Sequence, residues 1–261
     1  MNSIRVFFIG GYLAYRALFN WIHWSMYIPT MLGGPVFQIL FFAYIGRYAK
    51  LRSDEFFVVG NAVQISAMGG IFGMAMTIGG ERWTQTLASI LATPANRIAL
   101  FLGRALPNIA NGIFVSAFGF AVGWLLLDFS LSASQIPGIA LIVVVSAFAC
   151  TSFGLMIGAV GLRARDVFFL ANLVIFILLL FCGVNVPFDS LPGWMQAIGR
   201  VLPLTHGIEA AREVASGSSL GHVSGLVWKE AAIGGCYTAL AFLLFRYFEA
   251  EGRRRATLET I

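Results

Sequence analysis

Charge is what this 261-residue chain has least of: Asp, Glu, Lys and Arg together make up 11% of it, against roughly a quarter of a soluble globular protein. Lysine is nearly missing, with only Lys50 and Lys229. Charges this sparse cannot cover a soluble surface. The hydrophobic fraction of 59% also exceeds the roughly 45–50% of soluble chains, and the mean hydropathy is +0.83. So much apolar surface needs lipid around it. Low polarity and 24 Phe exclude a disordered chain, which is polar and poor in aromatics. Cysteine is scarce too. Cys150, Cys182 and Cys236 all fall in apolar runs, which excludes a disulfide scaffold and reads as packing. The 29 Gly follow no triplet, so collagen is excluded. What remains is an all-α polytopic membrane protein.

Catalytic signatures are absent as well. The sequence holds no HExxH, no GxSxG elbow and no GxxxxGK[ST] phosphate loop, and neither lysine follows a glycine loop. The chain is therefore expected to be no enzyme and to hold no nucleotide or other cofactor of its own. The net charge of +5 is scattered between apolar runs, which fits topology setting and contact with anionic lipid headgroups, not nucleic-acid binding. His206 and Glu209 have a helical metal-ligand spacing, but two ligands with only His222 near them read as interface polar residues. His222 and Ser224 lack the acid and oxyanion motif of a hydrolase. Ionisable residues deep in the spans are nearly missing. Gln38, Asn61, Gln64, Asn108, Asn111 and Asn172 are neutral and read as interhelical hydrogen bonding, worth about 0.6 kcal/mol each. The lack of a buried carboxylate argues against proton or sodium coupling, and no repeat relates residues 1–130 to 131–261. Energy for any transport should come from another chain.

Six segments are long and apolar enough to cross the hydrocarbon: 22–46, 56–79, 98–127, 136–160, 167–186 and 225–248. The third is longer than a crossing needs and is expected to tilt or project. Residues 1–21 mix Arg5, Arg16 and Asn20 with apolar side chains, as in a helix lying in the interface plane. Arg16 breaks the apolar run, which argues against a cleavable signal peptide. With both termini on one side, eleven of the 17 basic residues fall there, so that side is expected to be the cytoplasm. The loop RYAKLRSDE, with Arg47, Lys50 and Arg52 on the other side, runs against this. Residues 249–261 form a basic cytoplasmic tail. Gly69/Gly73, Gly119/Gly123 and Gly154/Gly158 are GxxxG pairs, which predict close helix packing.

The segment GERWTQTLASILATPANR opens with Glu81 and Arg82 and then places Leu87, Ile90 and Leu91 at spacings of three and four. That is an amphipathic helix over 81–93 along the membrane surface, with Thr93 and Pro94 closing it. A solvated linker has no use for such a stripe; a helix that also docks another protein does. The run Glu81, Arg82, Thr86, Leu87, Leu91, Thr93, Pro94 and Arg97 resembles the first cytoplasmic loop of the ABC-2 type exporter permeases. Gln85 departs from a usual Gly there, and Ala88 from a usual Glu. GLRARD, containing Arg163 and Asp166, resembles that family's second cytoplasmic loop. Pro187, Leu191, Pro192, Trp194 and Ile198, followed by LPLTHGIEAAR from Leu202 through Pro203 and His206 to Arg212, resemble its re-entrant region. Prolines here break regular helix, and Trp194, Met195, Ile198 and Val201 suit a short helix, so residues 187–206 are expected to dip into the outer leaflet. Non-helical backbone at that depth is tolerated where protein covers it.

The resemblance covers residues 20 to 248 and points to the drug, antibiotic and nodulation-factor branch. It implies a permease that dimerises, with a second copy or a paralogue, and binds two cytoplasmic ABC ATPase subunits, which hold ATP and magnesium. It further implies a coupling role for 81–93 with Arg163 and Asp166, an outer gate at 187–206, and an exit path near the first, second and fifth spans. Spans rich in Phe and Met but poor in charge suit a hydrophobic or amphipathic substrate. A channel or an assembly scaffold without ATP coupling is the competing reading, and segment 81–93 discriminates, since a scaffold has no need of it.

Overall fold

The computed structural model describes residues 3–21, 28–50, 52–83, 97–161 and 166–255. Helices make up nearly all of it. Helix α1 covers Ser3–Trp21. A π-turn at Ile28–Gly33 leads into α2, Gly34–Ala49, which Pro35 starts from its first turn, where a missing N–H costs nothing. Helix α3, Asp54–Ala67, runs through a second π-turn at Met68–Phe72 into α4, Gly73–Trp83. Then come α5, Arg97–Leu126, and α6, Ile136–Gly161. Helix α7, Val167–Phe181, is followed by two short ones, α8, Gly193–Gly199, and α9, Thr205–Ala215. Helix α10, Leu220–Arg255, closes the chain.

Four stretches among the described residues are long and apolar enough to cross a membrane: Asp54–Gly79, Ala99–Leu126, Ile136–Gly161 and Leu220–Phe248. The chain is a polytopic α-helical membrane protein. The expected third and fourth spans lie within a residue or so of the helices formed. The expected fifth does not: α7 ends at Phe181, and 15 residues make about 22 Å of helix, short of the roughly 30 Å hydrocarbon. It stops because Gly183 takes φ +72°, a left-handed turn that only glycine enters without cost. The first expected span begins outside the described residues and is helical from Ile28 to Ala49.

Small residues bring the helices together. A methyl on Gly69 would meet the backbone N of Gly112 at 2.5 Å, and one on Gly154 would meet Ile71 Cα at 2.7 Å. The second π-turn is therefore held between α5 and α6 at backbone contact. Gly119 and Gly123 face Ala62 and Val58 of α3, and Gly158 faces Ile78 of α4. All three GxxxG pairs thus find partners. A large apolar core runs from Ile39 and Phe57 through Ile142 and Cys150 to Leu178 and Ile208. A smaller one joins Met74, Ile78, Phe101, Leu155 and Phe245.

Both terminal helices meet the bundle at one end. Gly11 of α1 lies against Gly103 of α5, where an added methyl would sit 2.9 Å from the Gly103 carbonyl. Phe245 near the end of α10 stacks on Phe101 with ring centroids 4.3 Å apart. The opposite end carries the α2–α3 and α5–α6 connections and the short helices α8 and α9.

Candidate functional site

Three polar arrangements lie where the bundle is otherwise apolar. The first joins α2, α3 and the turn after α7. Gln38 Nε2 donates to Asn61 Oδ1 at 2.9 Å and to Gln64 Oε1 at 2.8 Å. Asn61 Nδ2 donates to Asn185 Oδ1 at 2.7 Å and to the Phe57 carbonyl at 2.8 Å. Asn61 and Gln64 are buried, so these bonds offset a desolvation that would otherwise cost a few kcal/mol. Asn185 Nδ2 is buried with no partner among the described residues. Of the other neutral residues expected to link helices, Asn108 donates weakly to Thr77 Oγ1 on α4 at 3.4 Å, while Asn172 bonds within its own helix.

The second arrangement is a guanidinium clamp. Arg212 on α9 donates from Nη1 to the Gly183 carbonyl at 2.7 Å and from Nη2 to those of Val184 at 2.6 Å and Phe56 at 3.1 Å. It also lies over the Phe56 ring, 3.5 Å from the centroid. One side chain thereby ties the start of α3, the turn after α7, and α9. Carbonyls that the break at Gly183 leaves without helical donors find them here.

The third is a buried carboxylate. Glu230 of α10 is completely buried. Its Oε1 accepts from the Leu204 amide at 2.6 Å and its Oε2 from the Gly207 amide at 3.2 Å. This corrects the expectation that the spans hold no buried carboxylate, since Glu230 stands inside the expected sixth span, 225–248. Next to Lys229 it looks like the charged edge of a crossing, whereas Lys229 is exposed and Glu230 turns inward. Arg212 and Glu230 both escaped selection as site residues. The signal for Glu230 in the sequence is a carboxylate at the sixth residue of an apolar span, directly after Lys229.

The hairpin residues singled out from sequence lie between these arrangements. Pro187 precedes a single turn of 3-10 helix, Phe188–Ser190, and Pro192 opens α8. Trp194 is exposed but meets Phe181 edge-on at 5.7 Å, while Met195 turns inward. Leu202 and Pro203 are buried, and the Pro203 carbonyl accepts from Cys182 Sγ at 3.3 Å. His206 is half-buried, and its Nδ1 has no partner among the described residues. No cluster of three metal-ligating side chains exists among the described residues, so His206 and Glu209 gain no third ligand. At the loop between α2 and α3, Arg47 Nε donates to Asp54 Oδ2 at 2.7 Å, and this bond holds the guanidinium above its ordinary pKa.

At the other end, Glu81 and Arg82 lie in the helical backbone of α4, Gly73–Trp83, and the rest of segment 81–93 lies outside the described residues. Leu87, Ile90, Leu91 and Arg163 lie outside the described residues. Asp166 caps α7, its carboxylate accepting from the Phe169 amide at 3.0 Å.

The family model for ABC-2 type transporters matches residues 8–215, from α1 through α9. The chain belongs to the ABC-2 type transporter family. It is 23% identical over 200 residues to the probable multidrug ABC transporter permease YbhR of Escherichia coli (strain K12), covering 74% of this chain and 52% of that protein. It is 23% identical over 211 residues to the daunorubicin resistance ABC transporter permease protein DrrB1 of Streptomyces coeruleorubidus, covering 78% of this chain and 74% of DrrB1. Nodulation protein J of Rhizobium meliloti (strain 1021) is 28% identical over 148 residues, 57% of this chain and 47% of its own. The chain spans about half the length of YbhR, the first of these relatives. In this ABC-2 chain the family match takes in the Gln38–Asn61–Gln64–Asn185 network and the Arg212 clamp, and stops short of Glu230.

Proposed function

We propose that this chain is the membrane-spanning permease subunit of an ATP-driven ABC exporter that moves a hydrophobic or amphipathic molecule out of the cytoplasm or the inner leaflet. The observation that carries the reading is the family match over residues 8–215, which includes the amphipathic segment 81–93. Relatives named for multidrug and daunorubicin permeases support the substrate class. In this reading the chain crosses the membrane six times, the fifth crossing made by α7 together with the turned residues after Phe181, both termini lie in the cytoplasm, and α1 lies along the interface. Two cytoplasmic ABC ATPase subunits dock on segment 81–93 and on the loop of Arg163 and Asp166. They hold the ATP and its magnesium ion, for which this sequence has no phosphate loop. A second permease copy or paralogue completes the path. Pro187, Pro192, Trp194, Leu202, Pro203 and His206 belong to the outer gate, and the amide network beside them offers hydrogen bonds to polar atoms of a substrate passing between the first, second and fifth spans.

Leu91→Asp tests the reading. A charge on the apolar stripe costs several kcal/mol if desolvated, and docking or export should fall by more than about tenfold, equal to about 1.4 kcal/mol. Ser89→Asp, on the more polar face, should leave both near wild type. The measurement is ATPase pull-down and vesicle transport at matched membrane abundance. Equal behaviour of the two variants would remove segment 81–93 as the transmission element and favour a channel or scaffold.

A further inference from the structure

The N-terminus of α9 sits deep in the bundle. Glu230 is ten residues into α10, and Ser146, which faces Gly207, is ten residues into α6. At 1.5 Å per residue, both place the start of α9 about 15 Å below the nearby helix ends, close to half the hydrocarbon thickness. The chain arrives there through Leu204 at φ +85°, a conformation that a branched side chain adopts only under constraint. What meets this strained residue is the Glu230 carboxylate, with one oxygen on the Leu204 amide and the other on Gly207. Among the described residues no cation pairs with Glu230. The groups around it include the Cys150, Cys182 and Tyr237 side chains, the Ser146 hydroxyl beside Gly207, and the amides of Leu204, His206 and Gly207. A carboxylate inside a membrane protein is expensive unless its oxygens are occupied, and the first-turn amides of a helix are suited to occupy them. Each half needs the other, since separation strands a carboxylate and at least two amides in an apolar surrounding. Seven residues on, the Tyr237 hydroxyl donates to the Val201 carbonyl at 2.9 Å, so α10 grips the returning chain at two points on one face.

We propose that Glu230 is the positioning residue of the re-entrant helix: its carboxylate seats α9 on α10 and keeps the hairpin shut, and the gate opens when α9 leaves that seat. This rests on the exporter reading only in calling the hairpin a gate. Cys182 reports the state directly. Its thiol is buried beneath the hairpin, donating to the Pro203 carbonyl, and moving α9 uncovers it.

The experiment uses full-length protein in lipid nanodiscs, where both faces meet the reagent, with Cys182 as the sole cysteine (Cys150→Ala, Cys236→Ala). A polar maleimide should label it slowly. Glu230→Gln replaces one acceptor with an NH2 group that faces an amide N–H, and labelling should speed up by at least about tenfold, equal to about 1.4 kcal/mol. Glu230→Asp keeps both acceptors and should stay within about threefold of the parent rate, less than half that free energy. An unchanged rate in the Gln form overturns the seat, as do equal rises in both forms. If the Gln form does not reach the membrane, the Asp form decides: retained protection supports the seat, and a tenfold loss of protection overturns it. Vesicle export with the partner ATPase is measured in parallel. Faster labelling with wild-type export overturns the gating role. Faster labelling where even the parent protein exports nothing supports the seat and removes the exporter reading instead.

Discussion

The crossing Asp54–Gly79, which runs from α3 through the π-turn into α4, and the crossing of α10, Leu220–Phe248, are built on opposite plans. In the most apolar stretch of Asp54–Gly79, 83% of residues are buried; in that of Leu220–Phe248, 17% are. The two stretches are nearly alike in hydropathy, but the buried one carries Asn61, Gln64, Ser66 and four glycines from Gly60 to Gly73. The exposed one presents Trp228, Leu240, Leu243 and Tyr247 outward. In water apolarity would decide which helix is inside, and here it barely separates the two. Lipid removes that sorting force, so the interior goes to the helix whose small residues permit close approach and whose amides find partners. Helix α10 then needs only a narrow inner line, and Glu230 lies on it.

Breaking the α3 side should have the largest effect. Gly154 of α6 meets Ile71 Cα and the Gly70 carbonyl, where even a methyl would stand 2.7 and 2.8 Å away. Neither backbone atom can swing aside. Gly154→Leu should therefore exceed the ordinary overpacking cost of about 1–3 kcal/mol and leave no monodisperse protein on size exclusion in detergent. Recovery at wild-type yield would show that the π-turn at Met68–Phe72 is not pinned between α5 and α6.

A smaller loss is expected where the clamp holds α3 to the returning chain. Arg212→Met keeps much of the length and packing of the stem but leaves the carbonyls of Phe56, Gly183 and Val184 without their donor. Removing one partner of a buried hydrogen bond costs about 1–3 kcal/mol, partly offset here because a buried charge disappears as well. Thermal unfolding should shift downward by several degrees, as expected for about 1–2 kcal/mol. A shift upward would mean that the desolvated guanidinium costs more than its bonds to three carbonyls return.

The parts legible in the sequence are those set by local contrast. Helices α5 and α6 end where polar residues interrupt apolar runs, so their limits could be read directly. The short helix at Gly193–Gly199 followed from its prolines and Trp194. Residues 182–186 read as membrane span because Val184 and Val186 are apolar, but the backbone there is turned by Gly183 and held by Arg212, from nearly 30 positions further on. Glu230 was hidden for a related reason: the amides that receive it come from a different helix, and nothing in its own neighbourhood announces them. Asn61 and Gln38 could be recognised as hydrogen-bonding residues, but their meeting with Asn185 depends on a turn that the hydropathy pattern does not contain.

The smallest effect belongs to the exposed side of α10, and it sharpens the comparison most because the same substitution changes sign. Gly235 lies on α10 with no described residue within 4 Å of where a methyl would stand. Gly154→Ala, by contrast, must push a methyl against the backbone of Ile71. Alanine is favoured over glycine in a helix interior by about 1 kcal/mol in water, because glycine loses more conformational freedom on folding. In a helix that lipid already stabilises, the gain should shrink to about half of that or less. Gly235→Ala should thus be neutral or slightly stabilising, while Gly154→Ala costs about 1–3 kcal/mol. Thermal unfolding of both single variants and of the double variant in the same detergent measures this, and the two effects should add, since the sites share no partner. A loss at Gly235 as large as that at Gly154 would mean that another surface packs against α10 as closely as α6 packs against the π-turn at Met68–Phe72, and the contrast between the two crossings would then hold for the isolated chain alone.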